Sequence, residues 1–222
     1  QMREYIGVLR RLLALEEGVS FEGELVKVRD LTLDLGHGDP RVPPAVKIFI
    51  GPTGPRMMEL TGEIADGALI NGILSPAYTV RSLERMAIGA GRTGRTLDDI
   101  EKIQLVNISM NADRGTALYD ATRLVTQYLG QQPHIMKASG VPESLLEEIG
   151  RVLTWPATHE QVVEASRLVP DDVVQMICAA GTADEVREKV AQYMADGCTC
   201  PILYPLGPDV RLMIDVFADW TP

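Results

Sequence analysis

The sequence predicts an α/β fold built on a parallel sheet. Short β-branched runs alternate with helical stretches of ten or more residues, the pattern of βαβ units. Glycine and proline cluster where strands would hand over to helices, and the strand runs are nearly free of polar residues, as strands covered on both faces are. No element recurs at a fixed solenoid period.

Residues 2–17 place Met2, Tyr5, Ile6, Leu9, Leu12 and Leu13 on one helical face, and Gly18 is expected to end that helix. Residues 19–28 alternate around Gly23 and predict a β-hairpin, followed by a Gly/Pro-rich loop from Gly36 to Pro44. Val46 to Ile50 predicts a buried strand. The turn cluster Gly51-Pro52-Thr53-Gly54-Pro55 and a helix from Arg56 to Ala65 come next, with Met57, Leu60, Thr61 and Ile64 on one side. Ala68 to Asn71 is the second strand, and Ala77 to Ala90 the helix after it. Lys102 to Met110 is the third strand, and Arg114 to Leu129 a helix with its stripe at Leu118, Ala121, Leu124, Val125 and Tyr128.

Residues 131–178 are broken by Pro133, Pro142, Pro156 and Pro170, offer no strand candidate, and read as a helical insertion. Thr182 and Glu185 then form a capping box, with Val186, Val190 and Met194 inward and Gly197 as the stop. Thr199 to Tyr204 is the last strand and Asp209 to Asp219 a closing helix. Four strands suit neither a closed barrel nor a full doubly wound sheet. The sequence opens at Gln1 inside a helical pattern and is read as a piece of a longer chain.

With 222 residues, 45% hydrophobic and 23% charged, the composition is that of a globular domain. A net charge of −10, with five lysines and sixteen arginines dispersed, argues against a nucleic-acid surface. No run of 18 apolar residues predicts a membrane span, and residues 1–5 carry no signal-peptide pattern. Cys178, Cys198 and Cys200 read as reduced thiols of a cytoplasmic protein. The Cys198-Thr199-Cys200 spacing is not that of a metal or redox pair. Both thiols are expected on one face of a strand, packed in the core.

In parallel α/β folds ligands sit at the carboxyl ends of strands. The loop Gly51-Pro52-Thr53-Gly54-Pro55 combines two glycines, a hydroxyl and a helix N-terminus suited to phosphate or carboxylate, yet matches neither a dinucleotide fingerprint nor a P-loop. It is a ligand loop or a plain turn. Asn71 either bonds a ligand or caps the next turn, and Asn107 faces the sheet interior or solvent. Tyr204-Pro205-Leu206-Gly207-Pro208 repeats the same Gly/Pro grammar. His37, His134 and His159 have no metal-ligand spacing, and no GxSxG elbow occurs. Glu59, Glu63 and Asp66 read as solvated helix-face carboxylates. No metal site and no catalytic triad are supported, whereas a cofactor site of backbone and small side chains is.

The block from Val46 to Asn71 resembles the fifth and sixth strands of luciferase-like monooxygenases. Residues 3–24, Gly89-Ala90-Gly91-Arg92 and Gly181 to Val186 agree with it. Within that superfamily the sequence is most similar to methylenetetrahydromethanopterin reductases, which use the deazaflavin coenzyme F-420. The resemblance implies a TIM (β/α)8 barrel of which residues 1–222 hold strands five to eight, with the insertion between strands seven and eight. It further implies a coenzyme contact at Gly51, Pro52, Thr53 and Gly54, with Leu69, Ile70 and Asn71 beside them. The implied chemistry is hydride transfer between F-420 and a small substrate such as methylenetetrahydromethanopterin. An FMN-dependent monooxygenase and a non-catalytic flavin-binding or structural half-barrel are the alternatives. The family's acid/base residues fall mostly in the first four strands, so no catalytic residue is assigned here, and this chain alone is expected to be inactive. Its expected partners are the missing N-terminal half-barrel, a small-molecule substrate and a second copy. Alone, with open sheet edges, it is expected to dimerise, aggregate or stay partly molten.

Overall fold

A computed structural model of the chain describes residues 1–34, 46–207 and 210–222. The expected loop from Gly36 to Pro44, with His37, lies outside the described residues, as do Pro208 and Asp209.

Helix α1 (Met2–Leu13) packs beside an antiparallel hairpin of β1 (Val19–Glu22) and β2 (Lys27–Leu31). The helix ends earlier than Gly18. Leu15 takes a left-handed φ of 59°, its N–H bonds Leu12 O at 2.9 Å, and the Glu16 N–H bonds Arg11 O at 3.1 Å. This is a Schellman turn with leucine at the position glycine usually fills, so the expected stop at Gly18 is corrected. Glu4 clips the hairpin to α1 by accepting the N–H groups of Glu24, Leu25 and Val26 at 3.2, 3.0 and 2.9 Å.

The remaining strands are all parallel. In order they are β3 (Phe49–Ile50), β4 (Gly67–Ile70), β5 (Glu101–Met110), β6 (Ala179–Gly181) and β7 (Cys200–Pro205). Between them run α2 (Pro55–Ile64), α3 (Pro76–Gly91), α4 (Arg114–Gln131), α5 (Pro133–Ala138), α6 (Glu143–Val152), α7 (His159–Ser166), α8 (Asp171–Ile177) and α9 (Ala183–Ala195), with α10 (Val210–Phe217) last. Ile108 pairs with both Ala179 and Pro205, so β6 and β7 flank opposite edges of β5. Ile103 and Gln104 likewise pair with β4 on one side and β7 on the other, so β6 takes up where β4 stops.

Two expectations need correction here. The first strand is two residues long rather than five, because the Asp66 carboxylate takes the Ile48 N–H at 2.8 Å in place of a ladder partner. The strand Ala179–Gly181 was not expected at all, since Ala-Ala-Gly carries no β-branched residue. The helical character of 131–178 is as expected, with Pro133 in the first turn of α5 and Pro142 and Pro170 capping α6 and α8.

The main core lies between the sheet and α3, α4 and the α5–α8 insertion, through Ile70, Met86, Val125, Leu129, Ile149, Val174 and Ile177. A second cluster beneath α9 joins Val106, Ile108, Val190 and Tyr193. Helices α2 and α3 cross in backbone contact. A Cβ added at Gly89 would lie 1.7 Å from Glu59 O, and one at Gly62 2.0 Å from Met86 O.

Among the described residues nothing covers the opposite sheet face. Phe49, Leu69, Ile202 and Tyr204 are 37%, 41%, 41% and 53% exposed. Register places Cys200 on this same face, opposite Ile103, so Cys200 is exposed while Cys198, ahead of the strand, is buried. The expectation that both thiols pack in the core holds only for Cys198, because nothing among the described residues covers the face that Cys200 joins. No helix among them is long and apolar enough to cross a membrane.

Candidate functional site

The loops that leave β3 and β4 at their carboxyl ends come together. Pro52 and Thr53 meet Asn71, Gly72, Leu74, Tyr78, Tyr128 and Gln132 around one narrow recess, with room for only about 10 Å³. Beside it opens a cleft of about 670 Å³ bounded by Thr53, Gly54, Tyr78, Arg81, His134 and Ile135. A cavity of about 510 Å³ at the opposite end of the sheet, lined by Arg10, Lys47, Asp66, Asp98 and Glu101, lies at the amino ends of the strands.

The first loop is held from α3. The Tyr78 hydroxyl donates to Thr53 O at 2.9 Å, and burial pushes the phenol up, which keeps it a proton donor. Gly51 and Thr53 are exposed, and an added Cβ at Gly54 would meet nothing within 4 Å. Gly54 caps α2 without a side-chain bond, Pro55 follows it, and the first turn has no acidic residue. The N–H groups there are left for solvent or a ligand, unlike those of α9, where Thr182 and Glu185 cap each other.

The second loop is clamped at four points. Gln104 Nε2 donates to Asn71 O at 2.6 Å, and the Ile73 N–H donates to Asn107 Oδ1 at 3.1 Å. The Tyr193 hydroxyl donates to Leu74 O, and Ser75 Oγ accepts the Tyr78 N–H at 3.2 Å. Gln104 is fixed in turn by Thr79 Oγ1, which donates to its Oε1 at 2.9 Å. Ile73 sits at a φ of 55°, a conformation that a β-branched residue adopts only where its surroundings impose it. A side chain at Gly72 would meet Asn107 Oδ1 at 2.1 Å.

Of the residues singled out in the sequence, Gly51, Pro52, Thr53 and Gly54 form the first rim and Asn71 the second. Leu69 stands on the uncovered sheet face, while the side chain of Ile70 is committed to the core at 1% exposure. Asn71 caps Gly72 through a bond of 2.9 Å. Asn107 is buried and serves the loop after β4. Glu59, Glu63 and Asp66 are not simply solvated: Glu59 pairs with Arg85 and Arg92, Glu63 with Arg3, and Asp66 with Arg10. Sequence reasoning missed Gln104, Tyr78 and Thr79. A polar residue within the third strand was the available signal for Gln104, as it was for Asn107.

The family model for luciferase-like monooxygenases matches residues 1–200. The chain belongs to that family. It is 26% identical over 219 residues to the 5,10-methylenetetrahydromethanopterin reductase of Archaeoglobus fulgidus, covering 97% of this chain and 63% of that protein. The F-420-dependent glucose-6-phosphate dehydrogenase of Microbacterium testaceum is 33% identical over 119 residues, 53% of this chain and 34% of the dehydrogenase. Among solved structures, the coenzyme F-420-dependent tetrahydromethanopterin reductase of Methanopyrus kandleri superposes with a TM-score of 0.78 at 25% identity, covering 98% of this chain and 61% of the other. The likeness to this luciferase-family reductase thus runs along nearly the whole chain. The chain spans about six-tenths of the length of the reductases it matches, and the expectation of an absent half-barrel rests on the resemblance alone.

Proposed function

We propose that this chain forms the coenzyme-binding side of an F-420-dependent oxidoreductase. Gly51, Pro52, Thr53 and Gly54 would line one side of the coenzyme and Leu69, the Ile70 backbone and Asn71 the other. The observation that carries the reading is the convergence of the β3 and β4 loops at the carboxyl end of the sheet, in a chain whose relatives along its length include F-420-dependent enzymes. The site suits the group. Among the described residues nothing lies within 4 Å of a Cβ added at Gly54, and none of them gives the α2 N-terminus a capping side chain or a first-turn acid to compete with a ligand anion.

When bound, a deazaflavin supplies the ring carbon that gives or accepts a hydride, and the protein supplies binding, orientation and exclusion of water. Tyr78 holds the Thr53 carbonyl, and Gln104 and Asn107 hold the backbone of residues 71–73, so both rims are fixed before a ligand arrives. We infer that the four-strand-wide parallel sheet corresponds to barrel strands five to eight and that the whole protein is oligomeric. The substrate reading is a small molecule such as methylenetetrahydromethanopterin. A sugar phosphate is the second reading, favoured by the likeness to F-420-dependent glucose-6-phosphate dehydrogenases, which runs over 98% of this chain at 26% identity in one of them.

Fluorescence titration of the full-length protein that contains this chain, with F-420 and separately with FMN, tests this. Saturable quenching with F-420 and at least about tenfold weaker binding of FMN, a gap of about 1.4 kcal/mol, is expected. Preference for FMN would move the reading to a flavin monooxygenase, and binding of neither would refute coenzyme binding by this chain.

A further inference from the structure

The five lysines of the chain fall into three environments. Lys27, Lys47 and Lys137 are exposed and paired with Glu22, Glu101 and Glu143. Lys102 is buried and gives its ammonium to Leu97 O at 2.8 Å. Lys189, midway along α9, is half-buried and forms no ion pair among the described residues. Its Nζ donates only to Gln192 Oε1, at a long 3.4 Å, and lies 5.8 Å from the centroid of the Tyr193 ring.

That ammonium stands on the wall of a pocket of about 290 Å³ between α8, β6 and α9. Its polar neighbours there are already engaged. Gln175 donates to Ala180 O at 3.2 Å and accepts from Arg114 Nη2 at 3.0 Å, while Glu185 accepts the Thr182 N–H and Arg114 Nε, both at 2.8 Å. Cys178 lies in the same wall, but its thiol is buried, donates to Asn107 O at 3.1 Å and is pushed up to about 12, so it is no competing nucleophile. Burial holds the Lys189 ammonium below the ordinary lysine value, with Cys178 and Asp196 opposing, whereas the bond to Glu101 holds Lys47 above it. The neutral amine, which is the nucleophile, is therefore favoured at Lys189 and disfavoured at Lys47.

We propose that Lys189 is a site of acylation by a small, neutral thioester. The amine nitrogen attacks the thioester carbonyl carbon, an N–C bond forms as the C–S bond breaks, and a proton of the nitrogen passes to the departing sulfur. An amide and a free thiol result. The pocket limits the acyl group to a few carbons, and Glu185 and Glu188 on its wall disfavour an anionic donor such as an acyl phosphate. Coenzyme binding does not enter, so this proposal stands or falls apart from the function above.

The test treats the full-length protein that contains this chain with S-acetyl-N-acetylcysteamine at neutral pH and follows each lysine by quantitative peptide mapping. Lys189 is expected to acetylate at least about threefold faster than Lys27, Lys47 and Lys137, with Lys102 slowest. In urea the five rates are expected to converge, and Lys189→Arg should leave the other four rates of the folded protein unchanged. A rate at Lys189 equal to or below those of the three paired lysines would overturn the proposal. So would a preference that persists in urea, since it would belong to the local sequence and not to the pocket. Acetyl phosphate should show a smaller preference for Lys189, and a larger one would overturn the assigned class of donor.

Discussion

Replacing Asn107 by leucine removes a single interaction of known geometry. The side chain is buried, and its Oδ1 accepts the Ile73 N–H at 3.1 Å, where Ile73 itself is 2% exposed. Leucine has the same branched shape but a larger volume, so the loss of the hydrogen-bond acceptor comes together with some overpacking. A buried N–H left without a partner costs about 1–3 kcal/mol. At about 2 kcal/mol, and about 2–4 °C per kcal/mol for a chain of this size, Tm is expected to fall by about 4–8 °C. The urea midpoint should fall with an unchanged slope. The left-handed Ile73 is also freed to relax, so amide exchange over residues 72–75 should accelerate beyond what the global loss explains. Asn107→Asp, which keeps the acceptor, should retain protection at Ile73. A Tm within about 1 °C of wild type, with unchanged exchange at 72–75, would refute the view that Asn107 holds this loop.

Three further outcomes are expected. Gly89→Ala drives a Cβ to 1.7 Å from Glu59 O and should destabilise by about 3 kcal/mol, read by urea unfolding, while Gly91→Ala, with open space around it, should lie within about 1 kcal/mol of wild type. Thiol titration of the folded chain should label Cys200 rapidly and leave Cys178, whose thiol burial pushes up to about 12, and the buried Cys198 unlabelled until urea is added. The Thr182 N–H and then Arg114 hold the Glu185 carboxyl below the usual carboxylate range, so its stabilisation is full above the unfolded value of about 4.3 and is lost as pH falls through the lower folded one. Glu185→Gln should therefore flatten the acid limb of the stability–pH curve, and an unchanged limb would contradict the assignment.

Much of the fold was legible because its signals are local. Val46 to Ile50 and Lys102 to Met110 are rich in β-branched and aliphatic residues, each handover carries glycine or proline, and Thr182 with Glu185 announces a helix start three residues apart. The strand Ala179–Gly181 gave no such signal, since its only qualification is lying alongside the end of β5. The early end of α1 depends on leucine accepting a left-handed conformation, which composition does not advertise. The rims of the site could be named from the Gly/Pro grammar and Asn71, but not what holds them. Gln104 lies 33 residues from the carbonyl it fixes and Tyr193 lies 119 from its own, distances that only the sheet register and helix docking bring to contact. Cys200 shows the same limit from the other side, because which strand face is covered is a tertiary property.

The most direct test of the coenzyme site is a hydrogen-exchange footprint of F-420 on this chain. Protection confined to the peptides that carry residues 51–58 and 69–75 is the result expected from the converging β3 and β4 loops. Protection instead around Arg10, Lys47 and Asp98–Glu101, at the amino ends of the strands, or no footprint at saturating coenzyme, would contradict it.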